Sequence, residues 1–149
     1  MTDDIDRQAI LDVFAGFPAR LAAAAKVRVA EWRPIPDGEW GPNEIVRHLI
    51  AVESDVWRAR LARLAKEDDP HWSWTEPGLA PGLDDASLLE LLSLFARRRA
   101  KTVATVRALD DTGWSRSGTH ATYGRIDVAG LLRLAIDHDE EHAASLSAD

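Results

Sequence analysis

The sequence predicts an all-α protein, a four-helix bundle with two long loops. Three observations carry that expectation: apolar residues recur at helical spacing in four separated stretches, no stretch alternates convincingly with a period of two, and there is no internal repeat. With 149 residues, 46% of them hydrophobic, and no tract of low complexity, residues 1–149 fit one compact domain with its own apolar core.

The first helix is expected from Asp4 to about Glu31, where Ile10, Phe14, Phe17, Leu21 and Ala24 recur along one face. Pro18 removes a backbone donor inside it and should kink or divide it. After the breakers Pro34, Pro36, Gly38 and Gly41, Pro42 suits a first helical position and opens a second helix over Asn43 to Lys66. From Glu67 to Asp84, Pro70, Pro77, Gly78, Pro81 and Gly82 surround Trp72 and Trp74, which predicts an irregular loop long enough to suggest a functional role. Asp84 or Asp85 is placed to cap a third helix reaching about Leu109 through Leu88, Leu91, Leu92, Phe95, Val103 and Val106. Arg97, Arg98 and Arg99 on that helix are expected to reach solvent. The second long loop, Asp110 to Arg125, holds Gly113, Gly118, Gly124, Trp114 and His120, and Asp127 then offers an N-cap to a last helix ending near Leu146.

Charge and cysteine content exclude several function classes. A net charge of −7, from 25 acids against 18 bases, disfavours nucleic acid or an anionic membrane as the main partner. Cysteine is absent, so disulfides, a thiolate nucleophile and cysteine zinc sites are ruled out, and His, Asp and Glu are the available metal ligands. The start MTDDIDRQAI has neither the basic nor the apolar region of a secretory signal, and no apolar run approaches the roughly 20 residues of a membrane span. A soluble, cytoplasmic protein is expected.

Projected at about 100° per residue, the last helix buries a stripe of Val128, Leu131, Leu132, Ala135, Ala143 and Leu146. His138 and His142 flank that stripe one turn apart, so both rings reach a single ion. Asp139 falls near the stripe's centre. On the second helix His48 lies at the edge of the apolar arc, and Glu53 falls near its middle, where an unpaired carboxylate is expensive to bury. Glu53 and Asp139 therefore either orient a ligand imidazole or act as general base, or else pair with an arginine such as Arg20 or Arg28. His71 is expected at the surface, and His120 in a loop near the mouth of the site. The run from His138 to His142 imitates a zinc-protease helix but has Asp139 in place of the longer glutamate base, and that reading is rejected. A third ligand then comes from upstream, with His48 the natural candidate.

These residues, in this order and over nearly the whole chain, resemble the DinB/YfiT-like superfamily, a group of bacterial metalloenzymes that includes mycothiol-dependent maleylpyruvate isomerases and other thiol-linked transferases. RPIPDGEWGPNEIVRHLIAVESDVWRARL is similar to the family's second-helix signature, and GTHATYGRIDVAGLLRLAIDHDEEH to its closing signature. The resemblance implies a four-helix bundle and a metal triad of His48, His138 and His142, with Glu53 at a recurrent acidic position. The chain departs from the pattern at Gly41, where a serine often starts the helix, and at Ala144 and Ser145, where a glutamine often follows the last histidine.

Three imidazoles on one ion leave positions for water or substrate, as catalytic sites do. Zn²⁺ is the first expectation, with Ni²⁺, Fe²⁺ or Mn²⁺ as alternatives. The ion would either generate hydroxide or activate a low-molecular-weight thiol. The leading expectation is a hydrolase or thiol S-transferase of a small molecule; Trp72, Trp74 and His120 either close over it or belong to a loop simply packed onto the bundle. Its rivals are a non-catalytic metal-binding or stress-response protein and a metal-free bundle whose histidines pair with Glu53 and Asp139. Exposed tryptophans on a small bundle further suggest a homodimer.

Overall fold

Helical periodicity of the apolar residues produces four long rods in the computed structural model, which describes residues 4–147. Residues 1–3, where the reading of the amino terminus begins, and residues 148–149 lie outside the described residues. Helix α1 (Asp4–Ala30) buries Leu11, Phe14, Phe17, Leu21 and Ala25 on one face. The second rod is continuous: α2 (Pro42–Val52), capped by Gly41, runs through a π-helical segment (Glu53–Arg58) into α3 (Ala59–Lys66). The third rod is α4 (Leu88–Arg107). Its cap is Ser87, not Asp84 or Asp85. The Ser87 hydroxyl accepts from Glu90 N–H at 3.1 Å while the Glu90 carboxylate accepts from Ser87 N–H at 3.3 Å, which satisfies two orphan donors at once. The last rod, α6 (Val128–Ser147), starts as expected, with Asp127 accepting from Gly130 N–H at 2.8 Å. Helix α1 packs on α6 and α4, and α2 packs on α4. Among the described residues no helix is long and apolar enough to cross a membrane.

The long loops are less irregular than expected. The first contributes β1 (His71–Trp72), and the second holds a short helix α5 (Asp111–Ser115) followed by β2 (Ser117–His120) and β3 (Gly124–Asp127). They form one sheet in the order β1-β2-β3, with β1 parallel and β3 antiparallel to β2. The register sets Trp72 opposite His120. Strands of two and four residues are too short to show alternation in sequence. Gly118 is required at the crossing, since a Cβ there would lie 2.6 Å from Pro70 O and 2.7 Å from the Trp72 ring.

Arg99 corrects the expectation of a solvated arginine run. Arg97 is exposed and half-buried Arg98 bonds Ser54 Oγ at 2.8 Å, but Arg99 is only 1% exposed. Its Nη1 and Nη2 meet the two Asp139 oxygens at 2.9 and 3.0 Å, its Nε and Nη2 meet Glu53 Oε1 at 3.0 and 2.9 Å, and Nη1 also donates to Phe14 O at 2.8 Å. The guanidinium thus makes four hydrogen bonds and one further ion-pair contact. The last contact explains how α1 survives Pro18 without breaking. Phe14 O is the carbonyl whose i+4 donor Pro18 lacks, and Arg99 supplies the missing N–H. The guanidinium carbon also sits 3.8 Å from the centre of the Phe14 ring.

Replacing Arg99 with Met would leave Glu53 and Asp139 buried without their cation. Such a loss costs about 3–5 kcal/mol. Urea unfolding of Arg99→Met against the parent measures it, and a loss below about 1 kcal/mol, the scale of an exposed pair, would contradict the network described here.

Candidate metal centre

The second and fourth rods bring three histidines together at one end of the bundle. His48 comes from α2, and His138 and His142 from successive turns of α6. Their ring centroids lie 5.5 Å apart for His48 and His138, 4.7 Å for His48 and His142, and 4.4 Å for His138 and His142. His48 is fully buried, deeper than the helix-edge position its projection suggests. A fourth group joins them that the sequence reading missed. Glu76, half-exposed in the first long loop, completes a set whose ligating atoms all lie within 4.8 Å of one another. A lone glutamate between Trp74 and Pro77 carries no signal in sequence, because the loop's path decides where it points.

The arrangement turns ring nitrogens toward one another and toward a carboxylate. His48 Nδ1 lies 3.1 Å from Gly78 O, and since a carbonyl only accepts, Nδ1 carries the proton. In the neutral ring Nε2 is then a lone pair, yet it sits 2.9 Å from Glu76 Oε1 without a hydrogen bond. The Nε2 atoms of His138 and His142 face each other at 3.2 Å. Two nitrogens bound tetrahedrally to one ion at roughly 2.0–2.1 Å stand about 3.3 Å apart, so this spacing fits a shared cation. Three imidazoles and a carboxylate are also a donor set that divalent transition metals accept.

Electrostatics keep the two rings on α6 in the ligating form. Burial first, then the neighbouring His142, His48 and Arg99, hold His138 down to about 3. Burial and His48 also lower His142, opposed by Glu141 and Glu76. Both rings are therefore neutral at neutral pH, as metal binding requires.

The carboxylates proposed from sequence do not join the histidines. Glu53 and Asp139 are spent on Arg99, while Arg20 pairs with Glu140 at 2.6 Å and Arg28 donates to Arg33 O at 3.2 Å. Burial pushes Asp139 up to about 6 and Arg99 pulls against it, so it stays ionised at neutral pH and committed to its cation. Asp139 engages Arg99 with both oxygens, whereas Glu53 engages it with Oε1 alone and leaves Oε2 buried without a partner. His120 also stands outside the cluster: it is buried, and its Nδ1 accepts from Thr122 N–H at 3.0 Å. His71 is exposed beside Asp69, as expected.

Tryptophans flank the histidines. Trp40 lies 4.8 Å from His48, and Trp57 and Trp74 each lie 5.9 Å from His138, ring centre to ring centre. Trp74 comes from the long loop and Trp72 does not reach the cluster by any ring contact among the described residues. A cavity of ≈ 440 Å³ lined by Gly38, Glu39, Trp40, Ile45, His142 and Ser145 opens against His142, room for a small molecule. A larger cavity of ≈ 620 Å³ between α1 and α4 touches no histidine and is remote from this chemistry.

Comparison with known proteins agrees with the architecture. The DinB superfamily model matches residues 14–146, a span containing His48, His138 and His142. Among solved structures, the fold matches YfiT from Bacillus subtilis, "a probable metal-dependent hydrolase with an unusual four-helix bundle topology", at a TM-score of 0.76. That match covers 99% of this chain and 87% of the other at 20% identity, a likeness of fold. No curated protein sequence matches the chain.

In metal-free protein, the His138 ring resonances should stay flat on acidification from pH 8 to about 4.5, because its proton uptake is displaced to about 3. A titration midpoint near the ordinary value of about 6.5, read from the ring shifts, would contradict the packing of three rings around a shared space.

Proposed function

The chain belongs to the DinB superfamily, and on that premise we propose that it is a metal-dependent hydrolase of a small molecule, its divalent ion held by His48, His138 and His142. The observation that carries the reading is the convergence of four ligating groups: His48, Glu76, His138 and His142 each bring one ligand atom within 4.8 Å of the others, with His138 Nε2 and His142 Nε2 3.2 Å apart. Burial lowers the proton affinity of His138 and His142, which leaves their lone pairs available to a cation. YfiT, whose fold the chain shares, supports hydrolysis as the reaction class.

A bound divalent ion supplies a Lewis acid and lowers the pKa of a coordinated water toward about 7. The residues of the chain supply the rest. Gly78 O fixes the His48 tautomer, the role an outer partner plays for a ligating imidazole. Trp40 and Trp74 narrow the approach and limit water. Glu76 is the adjustable member. Its carboxylate is half-exposed on a loop, so it either closes the ligand set or swings out to take a proton from water, whereas the histidines are fixed on rods. Zn²⁺ is the ion proposed first, since three imidazoles and a carboxylate suit it in tetrahedral geometry.

Protein prepared without a histidine tag and incubated with Zn²⁺ or Ni²⁺ should retain about one equivalent of metal, and less than about 0.2 equivalents would overturn the metal reading. His48→Ala, His138→Ala and His142→Ala should each lower metal affinity by about 100-fold or more, while Glu76→Gln lowers it by about 10-fold or less. Equal losses for all four in a chelator competition would make Glu76 a permanent ligand and close the site. If low-molecular-weight thiols alter the spectrum of the Co²⁺-substituted protein, thiol transfer replaces hydrolysis as the reaction class.

A further inference from the structure

Among the described residues Arg7, Arg60 and Arg99 are buried, the last two in quite different company. Arg99 makes four hydrogen bonds and has two carboxylates beside it. Arg60, on α3, is 5% exposed, and among the described residues no carboxylate pairs with it. Its Nη2 donates to Ser73 O at 3.0 Å, but its Nη1 is buried with no acceptor. Arg63 stands close by as a second cation. The faces of Trp57 and Trp72, 5.9 and 5.6 Å from the Arg60 guanidinium carbon, offset part of the charge and accept none of the hydrogen bonds.

Two more buried donors without a partner stand on neighbouring residues. Trp72 Nε1 is buried without a partner. His120 is 1% exposed and lies opposite Trp72 in the β1–β2 register. Its Nδ1 accepts from the backbone N–H groups of Thr122 and Tyr123 at 3.0 and 3.4 Å, so in the neutral ring the proton is on Nε2, which is also buried and unpartnered. Burial and Arg60 keep that ring neutral. Arg60, Trp72 and His120 thus present donors only, around one positive charge. One water has two acceptor lone pairs, fewer than the three groups require, and brings no negative charge. A carboxylate has about four acceptor sites and the right sign.

We propose that Arg60, Trp72 and His120 form an anion-binding site for a small carboxylate, separated from the three-histidine cluster by the Trp57 ring. Trp57 lies 5.9 Å from the Arg60 guanidinium on one side and 5.9 Å from His138 on the other. The carboxylate accepts from Arg60 Nη1, Trp72 Nε1 and His120 Nε2, and no covalent step is involved. Binding there also secures the loop, because Arg60 already holds Ser73 O between Trp72 and Trp74, and the same loop carries Glu76 to the histidines. The site makes no use of the metal and stands or falls separately from the hydrolase reading.

The test is a titration of metal-free protein with acetate, followed by NMR of the tryptophan indole N–H and histidine ring resonances. The expected result is a saturable shift of the Trp72 indole and the His120 ring with a Kd of about 1–10 mM, and a weaker response to chloride. Arg60→Met should raise the Kd by about 10-fold or more. Trp72→Phe, read on the His120 ring, should raise it by about 3- to 10-fold while keeping an aromatic ring against Gly118. This second variant decides the matter if Arg60→Met does not fold. No saturable shift up to about 100 mM acetate, or an undiminished shift in the folded variants, overturns the site. A chloride response equal to that of acetate overturns the assignment to a carboxylate.

Discussion

All four rods of the bundle meet at the guanidinium of Arg99. Helix α1 contributes Phe14 O, the π-helical segment contributes Glu53, α6 contributes Asp139, and α4 contributes the arginine itself. A buried ion network is a poor source of net stability, since apolar side chains of similar volume often do as well. What it does well is penalise every other arrangement. If one rod slides or turns, a carboxylate or the guanidinium is left buried without a partner. The apolar core on either side of the network tolerates such slippage far better. Phe17, Leu21, Leu49 and Ile50 pack on one side and Trp57, Val103, Leu131 and Leu132 on the other, and neither set has directional bonds to lose.

That penalty matters because the histidines hang from the same two rods. Asp139 follows His138 directly, and Glu53 stands five residues beyond His48. Fixing the two carboxylates on one arginine therefore fixes the axial position and rotation of α6 relative to α2. A one-residue slip along a helix is a displacement of about 1.5 Å, whereas metal–ligand distances tolerate about 0.2 Å. The π-helical segment belongs to the same arrangement. It buries Glu53, Val56 and Trp57 together, so that the carboxylate reaches Arg99 while the indole of Trp57 packs edge-on against His138.

The rods were legible in the sequence because each extends over enough turns for its period to show, and the breakers between them are unambiguous. Asp127 was legible as a cap, while Ser87 was hidden behind two nearer aspartates that have the right chemistry one turn too early. His138 and His142 could be paired from spacing alone. Joining His48 to them required a contact between distant segments that periodicity does not encode; its place beside an apolar arc made it the natural upstream candidate, and the family resemblance pointed the same way. Arg99 was misread because a run of three arginines looks like a solvated face. Nothing in its neighbours shows that the middle of a helix has turned its third arginine toward the two inward acids. Yet Glu53 and Asp139 were themselves conspicuous, and two buried negative charges call for a buried cation. That demand, applied to α4, would have found the arginine. The sheet and Glu76 had no comparable signal, since strands this short and a single loop glutamate take their places from tertiary contacts.

The candidate site divides its potential ligands by rigidity. Three come from rods whose mutual register is fixed by Arg99, and the fourth comes from a loop held by hydrogen bonds to its backbone, from Arg47 to Ala80 O, His48 to Gly78 O and Arg60 to Ser73 O. Four ligands on rods would make a closed, structural site, because none could leave without unpacking the core. A carboxylate on the loop can move at the cost of its own contacts alone, which leaves the histidine geometry intact while a coordination position opens. Each anchor holds a different part of the segment, with Ser73 O before Glu76 and Gly78 O and Ala80 O after it. The glutamate is therefore tethered on both sides and unrestrained by backbone bonds between them, which confines it to the neighbourhood of the histidines without fixing it there.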